Sequence, residues 1–425
     1  MFKAISTCRA CGLGKPSIPT LKESTSAGGA YATQNPLIQV FDLGVQPLAN
    51  NFVEPGQEQA GFAPLKVMFC PKCTNAQLSV VVNPDILYKH YLYVTSPSQT
   101  MQDHFAALLK VMQEEQSVLK VLEIGSNDGA FLKFLRENSA SSVMGVDPAS
   151  NLAAEAGKNH IATLQGIWSR QLAEDAGTYF KSDVDIIIAR HVFCHVEDWQ
   201  AFIHNLLIPS KKDTLVCIEV PYVKDLLQNG EFDTIYHEHT SYLSIKAMSA
   251  LLAGSPWRLH RIQKFPVHGG AILLMLRRHD YEGKPHPSVE EFLSHEKITL
   301  ETWKEFSDRA NKKIGVVSAF VRNLRSNGKT VVGFGASAKS TVWINACGFS
   351  KKEISFITDT TPQKLWKTSP GRDIKIVDEG AILRELPDYA LCFAWNFATE
   401  ILEKNKLARS KGVKFIFPHP ELQVI

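Results

Sequence analysis

The sequence has no long hydrophobic run, no basic block and no short-period repeat. No segment of its 425 residues approaches the roughly 20 consecutive apolar residues that span a bilayer. Residues 1–7 carry neither a long apolar core nor a cleavage signature. The formal net charge is only +3 and no cluster of Lys and Arg stands out, which argues against nucleic acid as a partner. We therefore expect a cytoplasmic monomer that binds neither a membrane nor nucleic acid.

Cysteine is scarce, and its eight copies fall into two groups. Two Cys-x-x-Cys pairs can each present two thiolates from one tight turn. Together they predict a structural zinc site without an open coordination position, formed by Cys8, Cys11, Cys70 and Cys73. The alternatives are a redox pair or two unrelated turns, since the separation of the pairs exceeds the usual zinc-ribbon spacing. The four isolated cysteines are expected to be small buried core residues: Cys194, Cys217, Cys347 and Cys392.

The pattern of apolar residues divides the chain into three regions. Residues 1–85 are rich in Pro, Gly, Ser and Thr and have little core of their own, so we expect a zinc-binding domain. Residues 86–284 alternate strand-like and helical stretches, which predicts βαβ units and a mostly parallel sheet. In residues 285–425, the charged amphipathic stretch Val289–Leu324 predicts one or two helices before a second α/β alternation. The expected fold class is therefore α/β with three domains.

A loop after the first strand of the central region has the features of a cofactor site. Gly125 and Gly129 allow the backbone to approach a ligand closely. Asp147 ends the next strand, where a carboxylate can bind ribose hydroxyls. A dinucleotide pyrophosphate needs a glycine at position 127, whereas S-adenosylmethionine has no pyrophosphate, so the loop favours S-adenosylmethionine. The alternative is an ordinary turn. The predicted cofactor-binding residues are Glu123, Gly125, Asn127, Asp128, Gly129, Asp147 and Pro148.

A second glycine-containing loop opens the α/β alternation of the C-terminal region. Gly333–Ala338 fits the pattern Gly-x-Gly-x-x-Ala after a strand, and Asp359 ends the following strand. Taken alone, this pattern suggests a nicotinamide dinucleotide. It is equally compatible with a loop that cradles substrate phosphates or with a tight turn that binds no ligand.

The stretch Tyr236-His237-Glu238-His239 places four proton-transferring side chains in succession. The two histidines are not spaced as in a His-Glu-x-x-His zinc helix. On a strand they would share one face, whereas in a loop all four side chains could converge. His195 follows the fourth strand of the central region, where it could face the transferred methyl group or take a capping or core role. Further candidates near the cleft are His191, His268, Tyr88, Tyr91 and Tyr93.

Taken together, these motifs resemble the sugar C-methyltransferases of deoxysugar biosynthesis, which act on nucleotide-linked 4-keto-6-deoxyhexoses. The likeness covers the two cysteine pairs, Leu122–Gly129, Phe232–His239, Val267–Gly270, Gly333–Lys339, Thr358–Pro362 and Ala394–Phe397. It implies a zinc-binding domain, a class I S-adenosylmethionine domain with a Rossmann-like seven-stranded sheet, and a Rossmann-like C-terminal domain that helps hold the nucleotide sugar. It also implies that His239 is the base, with Tyr236, Glu238 and His195 around the substrate.

We therefore predict methylation of a carbon next to a ketone in a nucleotide-linked keto-sugar. His239 would remove the proton, and Tyr236 or His195 would donate a hydrogen bond to the enolate oxygen. Glu238 would orient an imidazole or bind a sugar hydroxyl, and His237 has no predicted role. The alternatives are an O- or N-methyltransferase, a nicotinamide-dependent oxidoreductase that uses Gly333–Ala338, and a zinc-stapled nucleotide-binding module.

Overall fold

The computed structural model describes residues 1–15, 36–59, 61–88, 99–267 and 269–425. It arranges the strands of these residues in four sheets. The candidates Tyr91, Tyr93 and His268 lie outside the described residues. No helix within the described ranges is long and apolar enough to cross a membrane.

The N-terminal region forms small antiparallel sheets. Its elements are β1 (Phe2–Ala4), β2 (Ile38–Pro47), β3 (Phe62–Phe69), β4 (Ala76–Leu78), β5 (Val80–Val82) and α1 (Pro84–Tyr88). Strands β2, β3 and β4 lie side by side, and β1 pairs with β5. Buried side chains alternate along much of β3, as they do where one face of a sheet packs inward. A fourth strand, Ser241–Tyr242, joins β4 from the central region of the chain.

The central region alternates strands and helices, as the sequence pattern predicts. In chain order its elements are α2 (Gln99–Glu115), β6 (Lys120–Ile124), α3 (Ala130–Asn138), β7 (Ser142–Asp147), α4 (Ser150–Lys158), β8 (Thr163–Gln165), α5 (Arg170–Phe180), β9 (Val184–Arg190), α6 (Trp199–Asn205), β10 (Ser210–Pro221), α7 (Val223–Asn229), β11 (Ser241–Tyr242), α8 (Ile245–Leu252), β12 (Trp257–Phe265) and β13 (Ala271–Arg278). Phe193–His195 and Phe232–Thr234 form 3-10 turns. Strand β9 is almost continuously apolar and buried, as a parallel strand covered by helices must be.

Seven central strands form one sheet in the order β12-β13-β10-β9-β6-β7-β8. Strands β6 to β10 are parallel, and β13 runs antiparallel to both β10 and β12. The strand order reverses between β6 and β9, and open α/β sheets bind ligands outside the carboxyl ends of the strands at such a point. This sheet confirms the predicted class I methyltransferase fold, and it locates the ligand cleft beside Gly125 and His191.

The C-terminal region begins with two helices, which are followed along the chain by a second, mostly parallel sheet. Its elements are α9 (Ser288–His295), α10 (Leu300–Ser326), β14 (Val331–Phe334), α11 (Ala338–Ala346), β15 (Ile357–Asp359), β16 (Ile376–Asp378), α12 (Ala381–Glu385), β17 (Tyr389–Cys392), α13 (Ala398–Lys404), α14 (Lys406–Ser410), β18 (Lys414–Phe417) and β19 (Gln423–Val424), with 3-10 turns at Pro362–Lys364 and Trp395–Phe397. The sheet order is β16-β15-β14-β17-β18-β19, and only β19 is antiparallel to its neighbour. Helix α10 begins at a capping box between Thr299 and Thr302.

The three regions share one hydrophobic cluster. Phe41 of β2 packs on Phe306 of α10 with ring centroids 5.3 Å apart, and Phe232 packs on Trp343 of α11 at 4.5 Å. The sequence pattern predicts a strand over Tyr389–Trp395, but β17 ends at Cys392 and the chain then turns. The boundaries between the three domains stay a prediction.

Candidate active site

The cofactor loop turns sharply at Gly125, at the carboxyl end of β6. Gly125 has a φ of +72°, and a Cβ atom there would lie 2.1 Å from Cγ2 of Val192. Asn127 also has a positive φ, of 52°, and its N–H donates to Oδ2 of Asp147 at 2.8 Å. The N–H of Ala149 donates to Oδ1 of the same carboxylate at 2.9 Å. The loop therefore has no room for a side chain at position 125, and it holds the carboxylate at the end of β7 in one orientation.

A cavity of about 690 Å³ opens where the strand order reverses. Four of the seven predicted cofactor residues line it: Gly125, Asn127, Asp147 and Pro148. The other three are not among its lining residues: Glu123, Asp128 and Gly129. Oε1 of Glu123 instead pairs with Nη2 of Arg190 at 2.7 Å, and Gly129 precedes α3 with a φ of +76°. Arg190, which the sequence did not single out, lines the cavity.

Replacing Gly125 by alanine is expected to weaken binding of S-adenosylhomocysteine at least about tenfold, because both the backbone and Val192 would have to move. Isothermal titration calorimetry measures this change. The control is Gly157→Ala in α4, where an added Cβ meets no atom within 4 Å and should leave the affinity unchanged. Equal affinity in both variants would contradict close approach of the cofactor to Gly125.

All three regions of the chain contribute to the cavity wall. Pro84 and Tyr88 line it from the N-terminal region. The C-terminal region contributes Ser337, Ala338, Lys339, Ala394, Asn396 and Phe397. The central region contributes the cofactor loop together with His191, His195, Tyr236 and His239. The cofactor loop and the predicted base therefore face one common space.

His239 has a defined tautomer. Its Nδ1 lies 2.7 Å from the carbonyl oxygen of Thr234. Because a carbonyl oxygen only accepts, Nδ1 carries the proton and Nε2 is unprotonated. The hydroxyl of Tyr236 donates to that Nε2 at 2.8 Å. Burial, reinforced by neighbouring His195, holds the pKa of His239 well below 6.5. The imidazole is thus a neutral proton acceptor that faces the cavity.

His195 lies beside this base. The two imidazole centroids are 5.1 Å apart, and Nδ1 of His195 lies 3.1 Å from the hydroxyl of Tyr88. Burial lowers the pKa of His195 to about 4, so the ring is neutral near pH 7. His191 also lines the cavity and adopts a positive φ of 54°. The sequence pointed to each of these side chains, and the structure brings them together.

The other two members of the tetrapeptide turn away from the cavity. The N–H of His239 donates to the carbonyl of Tyr236 at 2.9 Å, which closes a turn and brings these two rings to one side. His237 is buried, and its Nε2 donates to the carbonyl of Ala63 at 3.2 Å. The carboxyl of Glu238 accepts from Nδ2 of Asn50 at 2.9 Å, and burial raises its pKa to about 7. The described contacts of these two side chains are with the N-terminal region.

The four paired cysteines converge as a metal site requires. The Sγ atoms of Cys8 and Cys73 are 3.5 Å apart, those of Cys11 and Cys70 are 3.6 Å apart, and all four lie within 4.8 Å of one another. Tetrahedral zinc with Zn–S bonds of about 2.3 Å separates sulfurs by about 3.8 Å. The group therefore fits a zinc ion, and none of its members lines the cavity.

A second group also brings potential metal ligands together: Cys194, His195 and His239. Burial raises the pKa of Cys194 to about 12, which keeps its sulfur as a neutral thiol. Both ring nitrogens of His239 already have hydrogen-bond partners within the chain. We therefore assign proton chemistry to the imidazoles.

Comparison with known proteins gives matches along most of the chain. Residues 32–88 match the family described as "Putative zinc binding domain", residues 97–260 a "Methyltransferase domain", and residues 266–420 a "C-methyltransferase C-terminal domain". C-methyltransferase NovU of Streptomyces niveus is 34% identical over 397 residues, which cover 91% of this chain and 94% of that protein.

Solved structures also match part of the chain. A methyltransferase of Anabaena variabilis is 14% identical, covers 43% of this chain and 86% of its own, and has a TM-score of 0.33. Magnesium protoporphyrin IX methyltransferase of Synechocystis, solved with bound S-adenosylhomocysteine, is 16% identical over 42% of this chain and 82% of its own, with a TM-score of 0.32.

The observed cleft fits S-adenosylmethionine. A carboxylate held by two backbone N–H groups faces the cavity at the end of β7, where it can bind ribose hydroxyls. The turn at Gly125 leaves open the space that a side chain would fill. The match to NovU over most of both chains shows that the chain belongs to the C-methyltransferase family, and together with these features it shows an S-adenosylmethionine-dependent methyltransferase with an N-terminal zinc-binding domain.

Proposed function

We propose that the protein methylates a carbon next to the ketone of a nucleotide-linked keto-deoxysugar. The observation that carries this proposal is the unprotonated Nε2 of His239, which faces the same cavity as the cofactor loop. Methylation of a hydroxyl or amine requires no removal of a proton from carbon. A tautomerically fixed imidazole suits the harder task of taking a proton from carbon.

The proton transfer begins at the C–H bond beside the ketone. Its proton moves to Nε2 of His239, and the electron pair left on carbon spreads onto the ketone oxygen as an enolate. The substrate takes the place that the Tyr236 hydroxyl occupies on Nε2, and that hydroxyl then donates to the enolate oxygen. The low pKa of His239 makes it a weak base, but the enolate charge that develops beside the imidazolium offsets this.

S-adenosylmethionine supplies a methyl group on a positively charged sulfur. Held by the loop at Gly125 and Asp147, this group would supply the methyl carbon to which the enolate carbon forms its bond, and the electron pair of the broken carbon–sulfur bond would stay with the sulfur. The imidazolium of His239 then releases its proton to solvent. Positioning of the acceptor carbon between the base and the cofactor loop contributes much of the acceleration.

The part of the cavity wall that comes from the C-terminal region, called the C-terminal wall below, carries a positive charge. A positive charge is expected where a phosphorylated substrate binds. Ser337 caps α11, and Ser337, Ala338 and Lys339 all line the cavity. The ammonium of Lys339 has no hydrogen-bond partner among the described residues and lies 4.1 Å from the ring centroid of Trp395. A cation at a helix N-terminus favours an anion such as a diphosphate. This arrangement supports a phosphate-binding role for the end of Gly333–Ala338 over a tight turn that binds no ligand.

Replacing Lys339 by glutamine is expected to raise KM for the nucleotide sugar about tenfold and to leave KM for S-adenosylmethionine unchanged. Lys352→Gln, at an exposed position on the same domain, is the matched control and should change neither value. Steady-state kinetics with each substrate varied in turn measures both constants. Loss of S-adenosylmethionine affinity in the Lys339 variant, with KM for the sugar preserved, would contradict the assignment.

The reaction type can be tested with S-adenosylmethionine that carries a ¹³C-methyl group. Thymidine-, guanosine- and cytidine-diphosphate keto-sugars serve as acceptors, and carbon NMR identifies the atom that receives the label. A new carbon–carbon bond is the expected result. A label on oxygen or nitrogen would instead assign O- or N-methylation. Thermal stabilisation by NADH but not by S-adenosylhomocysteine would favour an oxidoreductase.

A further inference from the structure

A buried carboxylate outside the cavity joins the base-bearing segment to the C-terminal region. Asp233 is only 1% exposed. Its Oδ2 accepts a hydrogen bond from Nε1 of Trp343 at 2.9 Å and another from Nε1 of Trp395 at 2.7 Å. Hydrogen bonds to an ionised carboxylate are stronger than neutral ones. Two indoles of the C-terminal region therefore hold one side chain of the central region.

Asp233 belongs to the segment that orients the base. It is the middle residue of the 3-10 turn Phe232–Thr234, and the carbonyl of Thr234 receives the Nδ1 proton of His239 at 2.7 Å. A turn of three residues has few internal hydrogen bonds and depends on outside contacts to stay in one conformation. The position of that carbonyl thus depends on how firmly Asp233 is held.

Both indoles come from segments that form the C-terminal wall of the cavity. Trp343 lies on α11, whose N-terminal residues line the cavity. Trp395 lies between two lining residues, Ala394 and Asn396, and its ring packs on His419 with centroids 4.0 Å apart. The same two segments therefore contact the substrate space on one side and Asp233 on the other.

We propose that Asp233 is a positioning residue that fixes the base relative to the C-terminal wall. By holding the turn Phe232–Thr234, it keeps His239 in the Nδ1–H tautomer and directs Nε2 toward the substrate carbon. The proposal rests on the proposed function, in which that wall holds the nucleotide sugar. It assigns Asp233 no contact with substrate or cofactor.

The test compares Asp233→Ala, Asp233→Asn and Trp395→Phe. The control is Trp257→Phe, which removes a buried indole N–H whose partner is the carbonyl of Ile203 at 3.1 Å. For each variant, exchange of the substrate α-proton in deuterated water measures the base, and calorimetry with S-adenosylhomocysteine measures the cofactor site. Selective ¹⁵N-histidine NMR reports the tautomer of His239, whose signals are those missing in His239→Gln.

Asp233→Ala and Trp395→Phe are expected to slow proton exchange about 10- to 100-fold and to mix the tautomers of His239, with S-adenosylhomocysteine affinity unchanged. Asp233→Asn keeps an oxygen that can accept from both indoles and should exchange within about threefold of the wild type. The control should exchange at the wild-type rate.

A single Nδ1–H tautomer and a wild-type exchange rate in Asp233→Ala would overturn the proposal. So would a loss of cofactor affinity that matches the loss of exchange, because that pattern indicates general damage to the fold. If the wild-type protein neither exchanges nor methylates keto-sugars, the proposed function fails, and the tautomer comparison still decides the role of Asp233.

Discussion

Replacement of His239 by glutamine is expected to slow methyl transfer at least about a thousandfold, with S-adenosylhomocysteine affinity within about threefold of the wild type. Nε2 of His239 is unprotonated and faces the cavity, since Nδ1 donates to the carbonyl of Thr234. Glutamine has no basic nitrogen and cannot accept the carbon-bound proton. Single-turnover kinetics with labelled methyl donor, together with exchange of the α-proton in deuterated water, measures both steps.

His237→Gln is a matched control only two positions away. Its side chain points to Ala63, and glutamine retains an N–H that can donate to the same carbonyl. We expect this variant to retain most of the activity. Proton exchange that survives in His239→Gln, or that disappears equally in both variants, would remove His239 as the base.

The pH dependence of kcat/KM provides a second view of the same residue. Burial holds the pKa of His239 well below 6.5. The imidazole therefore becomes protonated, and can no longer accept the substrate proton, only at a pH well below 6.5. We therefore expect the acid limb of the profile to have its midpoint below pH 6.5. A midpoint near pH 7 would match Glu238 instead, because burial raises the pKa of that carboxyl to about 7.

Loss of the zinc ion is expected to lower methyl transfer at least about a hundredfold and the thermal midpoint by about 10 °C, while S-adenosylhomocysteine binding persists. The chain that follows His239 is held by the zinc-binding region. Leu78 donates to the carbonyl of Thr240 at 3.0 Å, the guanidinium of Arg9 bonds to the same carbonyl, and β11 pairs with β4. Unfolding of the cysteine turns would release this chain from its place beside the cavity.

Cys70→Ser serves as the zinc-deficient variant, and Cys347→Ala is its control. Cys347 is buried in the C-terminal region, away from the four-cysteine group. Metal analysis, calorimetry and activity should separate the two variants: only the first loses zinc and methyl transfer. Full activity in a Cys70→Ser protein that contains no zinc would contradict a link between the metal site and the base.

The sequence predicts best those features that depend on neighbouring residues. Alternating strands and helices predicted the βαβ units and mostly parallel sheet of the central region, and the glycines around position 125 marked a turn that the structure shows to have no space for a side chain. The tetrapeptide was identified as a site of proton chemistry, but its sequence left strand and loop geometries open. The structure shows a turn, closed by the hydrogen bond from the N–H of His239 to the carbonyl of Tyr236, which brings these two rings together.

Long-range contacts account for what the sequence did not predict. Glu238 is directed away from the cavity by Asn50, which lies 188 residues earlier in the chain. The two-residue strand β11 is too short to produce a periodic pattern, and it exists because β4 pairs with it. The role of Asp233 depends on indoles 110 and 162 residues later. No local pattern carries information of this kind.

The composite sheet that contains β11 has a consequence for the order of folding. Arg9 and Thr240 meet across 231 residues of chain, whereas β6 and β7 of the cofactor site are joined by a single helix. Contacts between distant parts of a chain form slowly, because the long loop must close before they stabilise anything. A refolding chain should therefore regain affinity for the methyl donor before it regains the ability to remove a proton, and stopped-flow ligand binding followed against activity would resolve the two stages.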